Sequence, residues 1–246
     1  MTNKVSLKDL LEAGAHFGHQ ARRWHPKMEN YLFGVRDGVH IFDLAKTKEG
    51  LENAAAFVRE IAARGGKIIF VGTKRQAQAI VKEEAKKANM PFVDQRWLGG
   101  TITNWEQIKK RIDRLLDMKE KREKGEYKKY TKKEQLLLDR EIRSLERKIG
   151  GLVELKNLPE AIFVVDIKRE EIAVREAKRK GILVVAIVDS NSDPGLVDYV
   201  IPANDDAVGA IKLIVSMIGG AAREGREVFR KKKIKENVSC RILNGL

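Results

Sequence analysis

Cysteine is almost missing from this 246-residue chain, where Cys240 stands alone. One thiol excludes an intramolecular disulfide framework and every cysteine-cluster zinc site. Long apolar runs are missing as well. No stretch approaches the roughly 18 residues expected of a membrane span. The N-terminal segment lacks the apolar block and cleavage pattern of a secretory signal. The sequence therefore reads as that of a soluble, intracellular protein. The loops that hold phosphates in nucleotide enzymes are absent too. There is no Gly-x-Gly, and the one glycine pair with P-loop spacing, Gly220 and Gly225, is followed by Arg226-Glu227 instead of Lys-Ser/Thr. Gly-x-Ser-x-Gly, His-Glu-x-x-His and Cys-x-x-Cys do not occur. These absences remove the usual means of activating a nucleophile on an α/β architecture, though not every enzyme.

What is present in excess is positive charge. Lys and Arg number 49 against 35 Asp and Glu, a formal net charge of +14. A polyanionic partner is the first expectation, although charge alone does not choose among RNA, DNA and an anionic membrane. The excess is unevenly placed. Residues 104–150 carry 16 basic and 10 acidic side chains, and residues 221–246 carry 8 and 3. The remainder is close to neutral, as befits an ordinary globular core.

Four segments have the composition of strands buried on both faces: residues 67–72, 161–166, 182–189 and 199–201. All are rich in β-branched residues and lack polar alternation, the pattern of a covered parallel sheet. Helical patterns at 51–64, 76–89, 170–180 and 206–218 separate or flank them. Strand–helix alternation predicts an α/β layered domain with parallel pairing. Residues 104–150 read differently. Trp105, Ile108, Ile112 and Leu115, then Leu138, Ile142, Leu145 and Ile149, form two narrow seams. Thr131 and Glu134 make a capping box between them, and Gly150-Gly151 supplies a stop. This predicts an inserted antiparallel coiled-coil hairpin projecting about 30 Å. The domain organisation expected is thus a discontinuous α/β domain of residues 1–103 and 151–220, an inserted hairpin at 104–150, and a basic tail at 221–246.

Candidate binding residues follow from this frame. Arg22, Arg23, Trp24 and Lys27 interleave cations with an aromatic ring that can stack on a base or sugar; the alternative is a half-buried Trp beneath solvated arginines. Lys74 and Arg75 lie where a strand turns into a helix, a place suited to a phosphate or to nothing more than a turn. Arg96 repeats the Arg-Trp pairing, with Trp97 expected in the core. Lys109, Lys110 and Arg111 open the basic insertion. Asp189 and Asp205 follow strands and share a sheet edge if pairing is parallel. They either cap backbone N–H groups or, with His19 and with Asp193 in reserve, hold a divalent ion. The imidazole would favour zinc, and carboxylates with water magnesium.

Several ordered blocks resemble a known family along nearly the whole chain. They are residues 10–20 (LLEAGAHFGHQ), 22–28 (RRWHPKM), 42–47 (FDLAKT), 70–75 (FVGTKR), 96–104 (RWLGGTITN), 158–166 (LPEAIFVVD), 187–194 (IVDSNSDP) and 198–206 (DYVIPANDD). The sequence resembles the bacterial small-subunit ribosomal protein S2 family. The resemblance implies a three-layer αβα, flavodoxin-like (Rossmann-like) domain carrying a coiled-coil hairpin. It implies a cytoplasmic, non-enzymatic constituent of the small ribosomal subunit that requires no cofactor. Its partners would be small-subunit ribosomal RNA near the head–body junction, other small-subunit proteins, and the mRNA-binding ribosomal protein S1 where the organism has it.

Overall fold

Ser6 starts the first helix. Its hydroxyl accepts the Asp9 N–H at 3.1 Å, and the Asp9 carboxylate accepts the Ser6 N–H at 2.9 Å, a reciprocal cap. The computed structural model describes residues 5–243, with side chains through Ile234. Helix α1 (Leu7–Glu12) leads into a small antiparallel sheet of β1 (Phe17–Gln20), β2 (Leu32–Arg36) and β3 (Val39–Phe42), in the order β1-β3-β2. Helix α2 (Leu44–Ala63) follows, with the Asp43 carboxylate accepting the Ala45 N–H at 2.9 Å. That cap starts α2 seven residues before the apolar repeat at Leu51 becomes legible.

The remaining strands form one parallel sheet: β4 (Ile68–Val71), β5 (Phe92–Val93), β6 (Ala161–Val165), β7 (Leu183–Val188) and β8 (Tyr199–Pro202). Their spatial order is β5-β4-β6-β7-β8, the 2-1-3-4-5 arrangement of a doubly wound, Rossmann-like fold. Ile69 sits opposite Ile162, Val164 opposite Ala186, and Ile187 opposite Ile201. Both faces are covered. Phe70, Phe163, Val165 and Ile187 pack with α2, α3 (Gln78–Ala88) and α7 (Val208–Leu243). Ile69, Val71, Val164, Ala186 and Val188 point the other way, into a layer shared with α6 (Glu171–Arg179). Alternate residues of each strand thus enter opposite cores, which is why no polar alternation marks them.

The same second layer receives α4 (Trp105–Glu123) and α5 (Lys132–Ile149). Ile108, Ile112, Leu115 and Met118 of α4 are buried with Ile142 and Ile149 of α5, and Leu138 and Leu145 pack against them. The turn between them starts α5 with the Thr131–Glu134 box: the Glu134 N–H donates to the Thr131 hydroxyl and the Thr131 N–H to the Glu134 carboxylate.

Two features depart from expectation. The small antiparallel sheet has no apolar alternation, because β2 is exposed along almost its whole length. The last helix does not stop at Ile218 but continues to Leu243. Two of its glycines, Gly219 and Gly225, are points of close approach: a Cβ at Gly219 would lie 3.1 Å from the Glu84 carboxylate. At Gly225 a Cβ would collide with the Arg59 carbonyl and come within 2.6 Å of the Ala62 Cβ on α2, so glycine lets the two helices touch. Ala221 and Ala222 are fully buried, and the Phe229 ring lies over Gly65.

Candidate nucleic-acid interface

The carboxyl edge of the parallel sheet gathers a cluster of charge. Lys74 follows β4, Asp166 follows β6, Asp189 follows β7, and Asp205 and Asp206 follow β8. This is the switch point, where successive crossovers leave in opposite directions. The Lys74 ammonium lies 2.6 Å from Asp205, 2.6 Å from Asp206 and 3.3 Å from Asp166. Burial opposes its charge, but the hydrogen bonds to Asp205 and Asp206 outweigh burial and hold its pKa above the usual lysine range. Burial, then the charges of Asp189 and Asp166, push Asp205 up to about 7 against the pull of Lys74. His19, delivered by β1, places Nδ1 2.9 Å from Asp189 and Nε2 3.6 Å from Asp206. Its hydrogen bond to Asp189 raises it above the ordinary histidine value. The Asp205 N–H donates to Asp189 at 3.2 Å.

The structure thus brings His19 and Asp189 into contact and sets Asp205 beside them, with Lys74 as the central cation. Among the described residues no three His, Cys, Asp or Glu side chains are arranged as a metal ligand set. Lys74, also a candidate phosphate ligand, is only 8% exposed, and its charge is matched inside the protein. Asp193 lies apart from this cluster. It accepts from Lys27 Nζ at 2.8 Å and from the Gly195 N–H.

The remaining cations are displayed outward. Ala21–Arg23 forms a single 3-10 turn, and a second begins at Pro26. Between them the His25 N–H donates to the Ser190 carbonyl at 2.7 Å, and the His19 N–H donates to the Ser190 hydroxyl at 2.8 Å. Ser190 therefore pins this segment to the end of β7. At Gly18 a Cβ would sit 2.9 Å from that hydroxyl, so the approach needs glycine. Arg22, Arg23 and Lys27 are exposed. Trp24 is 37% exposed, with one side tilted against His40 at 5.1 Å between centroids. Arg22 donates to Gln20 at 3.0 Å. Arg75 and Arg96 are exposed, and Lys109, Lys110 and Arg111 line the outer side of α4's first turns.

Two elements of the surface escape sequence reasoning. Glu176 is nearly buried on α6, yet it accepts from the Trp97 indole, the Gly100, Ile102 and Thr103 N–H groups, and the Thr103 hydroxyl. Burial alone would raise its pKa; the backbone donors of Thr103, Ile102 and Gly100 outweigh that and hold it below the usual glutamate value. This one carboxylate shapes the loop from Arg96 to Asn104 that delivers α4. The only hint in sequence is a loop dense in donors with no acid of its own. The second element is apolar. Phe33 is 83% exposed on β2, and with Phe17, Val35 and Leu11 it borders a hollow of about 740 Å³ on the small sheet.

No helix among the described residues is long and apolar enough to cross a membrane. Compared with known protein families, residues 10–225 match the family model described as ribosomal protein S2. The match spans the small sheet, the whole parallel sheet, the α4–α5 pair and the first half of α7.

Proposed function

Because the chain belongs to the ribosomal protein S2 family, a family of structural, non-enzymatic proteins of the small ribosomal subunit, we propose that it binds small-subunit ribosomal RNA near the head–body junction and acts there, in the cytoplasm, without a required cofactor. The observation that carries this reading is the segment of Arg22, Arg23 and Lys27 around a partly exposed Trp24, pinned by Ser190 to a rigid sheet. Cations on a fixed frame displace counterions from phosphates, and the frame sets the register. Arg75, Arg96, Lys109, Lys110 and Arg111 extend the contact.

The α4–α5 pair serves as an inserted coiled-coil arm between the two parts of the α/β domain. Its ion pairs support shape-directed docking over general adhesion: Arg114 meets Glu141 at 2.6 Å and Lys119 meets Glu146 at 2.6 Å. Protein partners include other small-subunit proteins. Where the organism has ribosomal protein S1, we propose that it docks on the apolar sheet face around Phe33, where Phe17, Phe33 and Val35 are exposed together. A divalent ion on His19, Asp189 and Asp205, zinc or magnesium, would have to take Asp205 from Lys74. Elemental analysis of chelator-free protein decides that point, and less than about 0.1 equivalent would exclude it.

The test of the main reading is replacement of Arg22, Arg23 and Lys27 together with Ala. The slope of log affinity for small-subunit ribosomal RNA against log salt should fall by up to about 3 units, and incorporation into subunits should weaken. An unchanged slope would remove this segment from the interface.

A further inference from the structure

Three helices of this protein each carry a pair of like charges one turn apart: Lys82 and Lys86 on α3, Arg143 and Arg147 on α5, and Arg226 and Arg230 on α7. Such i,i+4 pairs share a helix face and repel. The fold brings all three to one joint. Lys82, Lys86, Arg143 and Arg147 line a cleft of about 570 Å³ between α3 and the end of α5. Arg226 and Arg230 line a second, of about 520 Å³, between the end of α3 and α7. Asn89, the left-handed residue that ends α3, borders both.

We infer that these two clefts form one basic track, running from the base of the helical arm past Asn89 onto the last helix, and that it seats the phosphate backbone of folded RNA. The inference rests on the ribosomal RNA reading above but uses none of the residues assigned there.

Three observations carry it. Of the acids lining the two clefts, Glu146 is engaged with Lys119 and Glu154 with Lys67, Asp94 meets Lys82 of the track itself, and Glu227 lines the second cleft with Arg226 and Arg230. Among the described residues Lys86, Arg147, Arg226 and Arg230 make no ion pair, and Arg143 donates only to the backbone carbonyl of Asp139. Second, the cations crowd one another. Lys67, tied to the Asn89 carbonyl at 2.9 Å, has its pKa lowered by burial and then by the charge of Arg226. A polyanion relieves such repulsion. Third, the platform is rigid. α3 packs on α7, and the two-residue edge strand β5 lies beside the end of α5. Four of the six paired cations are arginines, whose guanidinium forks suit phosphate oxygens better than an ammonium does. Charge was legible in the arm and the tail separately; only the fold shows that α3 joins them.

The test uses the full chain and transcribed small-subunit ribosomal RNA. A Lys86→Ala, Arg147→Ala, Arg230→Ala variant should lower the salt slope by about 2–3 units and weaken binding at physiological salt at least tenfold. Its melting temperature should equal or slightly exceed that of wild type, since repulsion is relieved. A Lys8→Ala, Lys48→Ala, Arg175→Ala control removes equal charge from helix-surface pairs elsewhere and should leave the slope unchanged. Lys86→Gln with Arg147→Gln gives a milder second reading should the triple variant fail to fold. Equal slopes for wild type and the track variants, or an equal drop in the control, overturn the track. Failure of wild type to bind the RNA at all overturns the functional reading itself. Binding of polyglutamate at the track, with RNA unaffected by the substitutions, would reassign it to an acidic protein partner and overturn the proposal.

Discussion

Glu176 and Lys74 show how single charged side chains hold this surface. Glu176 accepts from three backbone N–H groups, an indole and a hydroxyl. Hydrogen bonds to a charged group are worth about 1.5–3 kcal/mol, and Glu176→Gln turns an acceptor into a donor facing donors. The substitution should lower stability by about 2 kcal/mol, read as a shift in denaturant midpoint at unchanged slope. The sign of the pH dependence follows from the folded carboxyl lying below its ordinary value of 4.5. Its contribution is complete above that value and is lost as the pH falls through the lower folded pKa. Acidification well below the ordinary value should therefore narrow the stability gap between wild type and Glu176→Gln; a gap that acid leaves unchanged would contradict this account of the loop. Lys74 is the counterion of three aspartates. Lys74→Met should destabilise by about 3 kcal/mol, because it leaves buried carboxylates unpaired, and thermal melting checks it. The site was only partly legible. Acids after successive strands do mark the sheet edge, as Asp189 and Asp205 do. A lysine ending a strand on that same edge is then their natural partner, a consequence that linear reading of Val71–Arg75 does not reveal. Glu176 is invisible in sequence because its partners lie more than 70 residues away.

At the scale of elements, apolar strands and capped helices are legible, and contacts that depend on small or exposed residues are not. β6 and β7 read as buried strands because every side chain in them is apolar. β1 and β2 escape because their residues face solvent and their pairing is bulged. The end of α7 escapes because Gly219 and Gly225 serve packing rather than termination. A chain ended after Gly220 loses Ala221, Ala222 and the Phe229 ring over Gly65, and should melt at least about 5 °C lower. An unchanged melting temperature would show that α2 holds its place without this part of α7. The helical arm makes a second prediction. Ile149 is buried in the layer that holds Ile69 and Val164, whereas Leu137 is largely exposed. Ile149→Ala should cost about 3 kcal/mol and Leu137→Ala less than about 0.5. Equal losses would mean that the base of the arm is not part of the domain core.

For the whole molecule, the net charge of +14 is arranged on a frame rather than spread over it. Exposed cations near Trp24, on α4 and along the α3 track face outward, and the buried aspartate–lysine cluster fixes the sheet edge that supports the first of these. Such a protein should bind folded ribosomal RNA tightly at low salt and keep its place on an assembled subunit as salt rises, because register as well as charge is matched. If S1 is present, Phe33→Ala with Val35→Ser should reduce its retention on subunits several-fold, measured by immunoblot of purified particles, while RNA binding is unaffected. The most direct measurement is sedimentation of the tagged full chain through a sucrose gradient of cell extract at about 0.5 M monovalent salt, where contacts between isolated charges are screened within a few ångströms. The account predicts one copy per particle in the small-subunit peak, reduced in the Arg22, Arg23, Lys27 variant. A chain found wholly in the free fractions, with no ribosomal RNA bound, would contradict it.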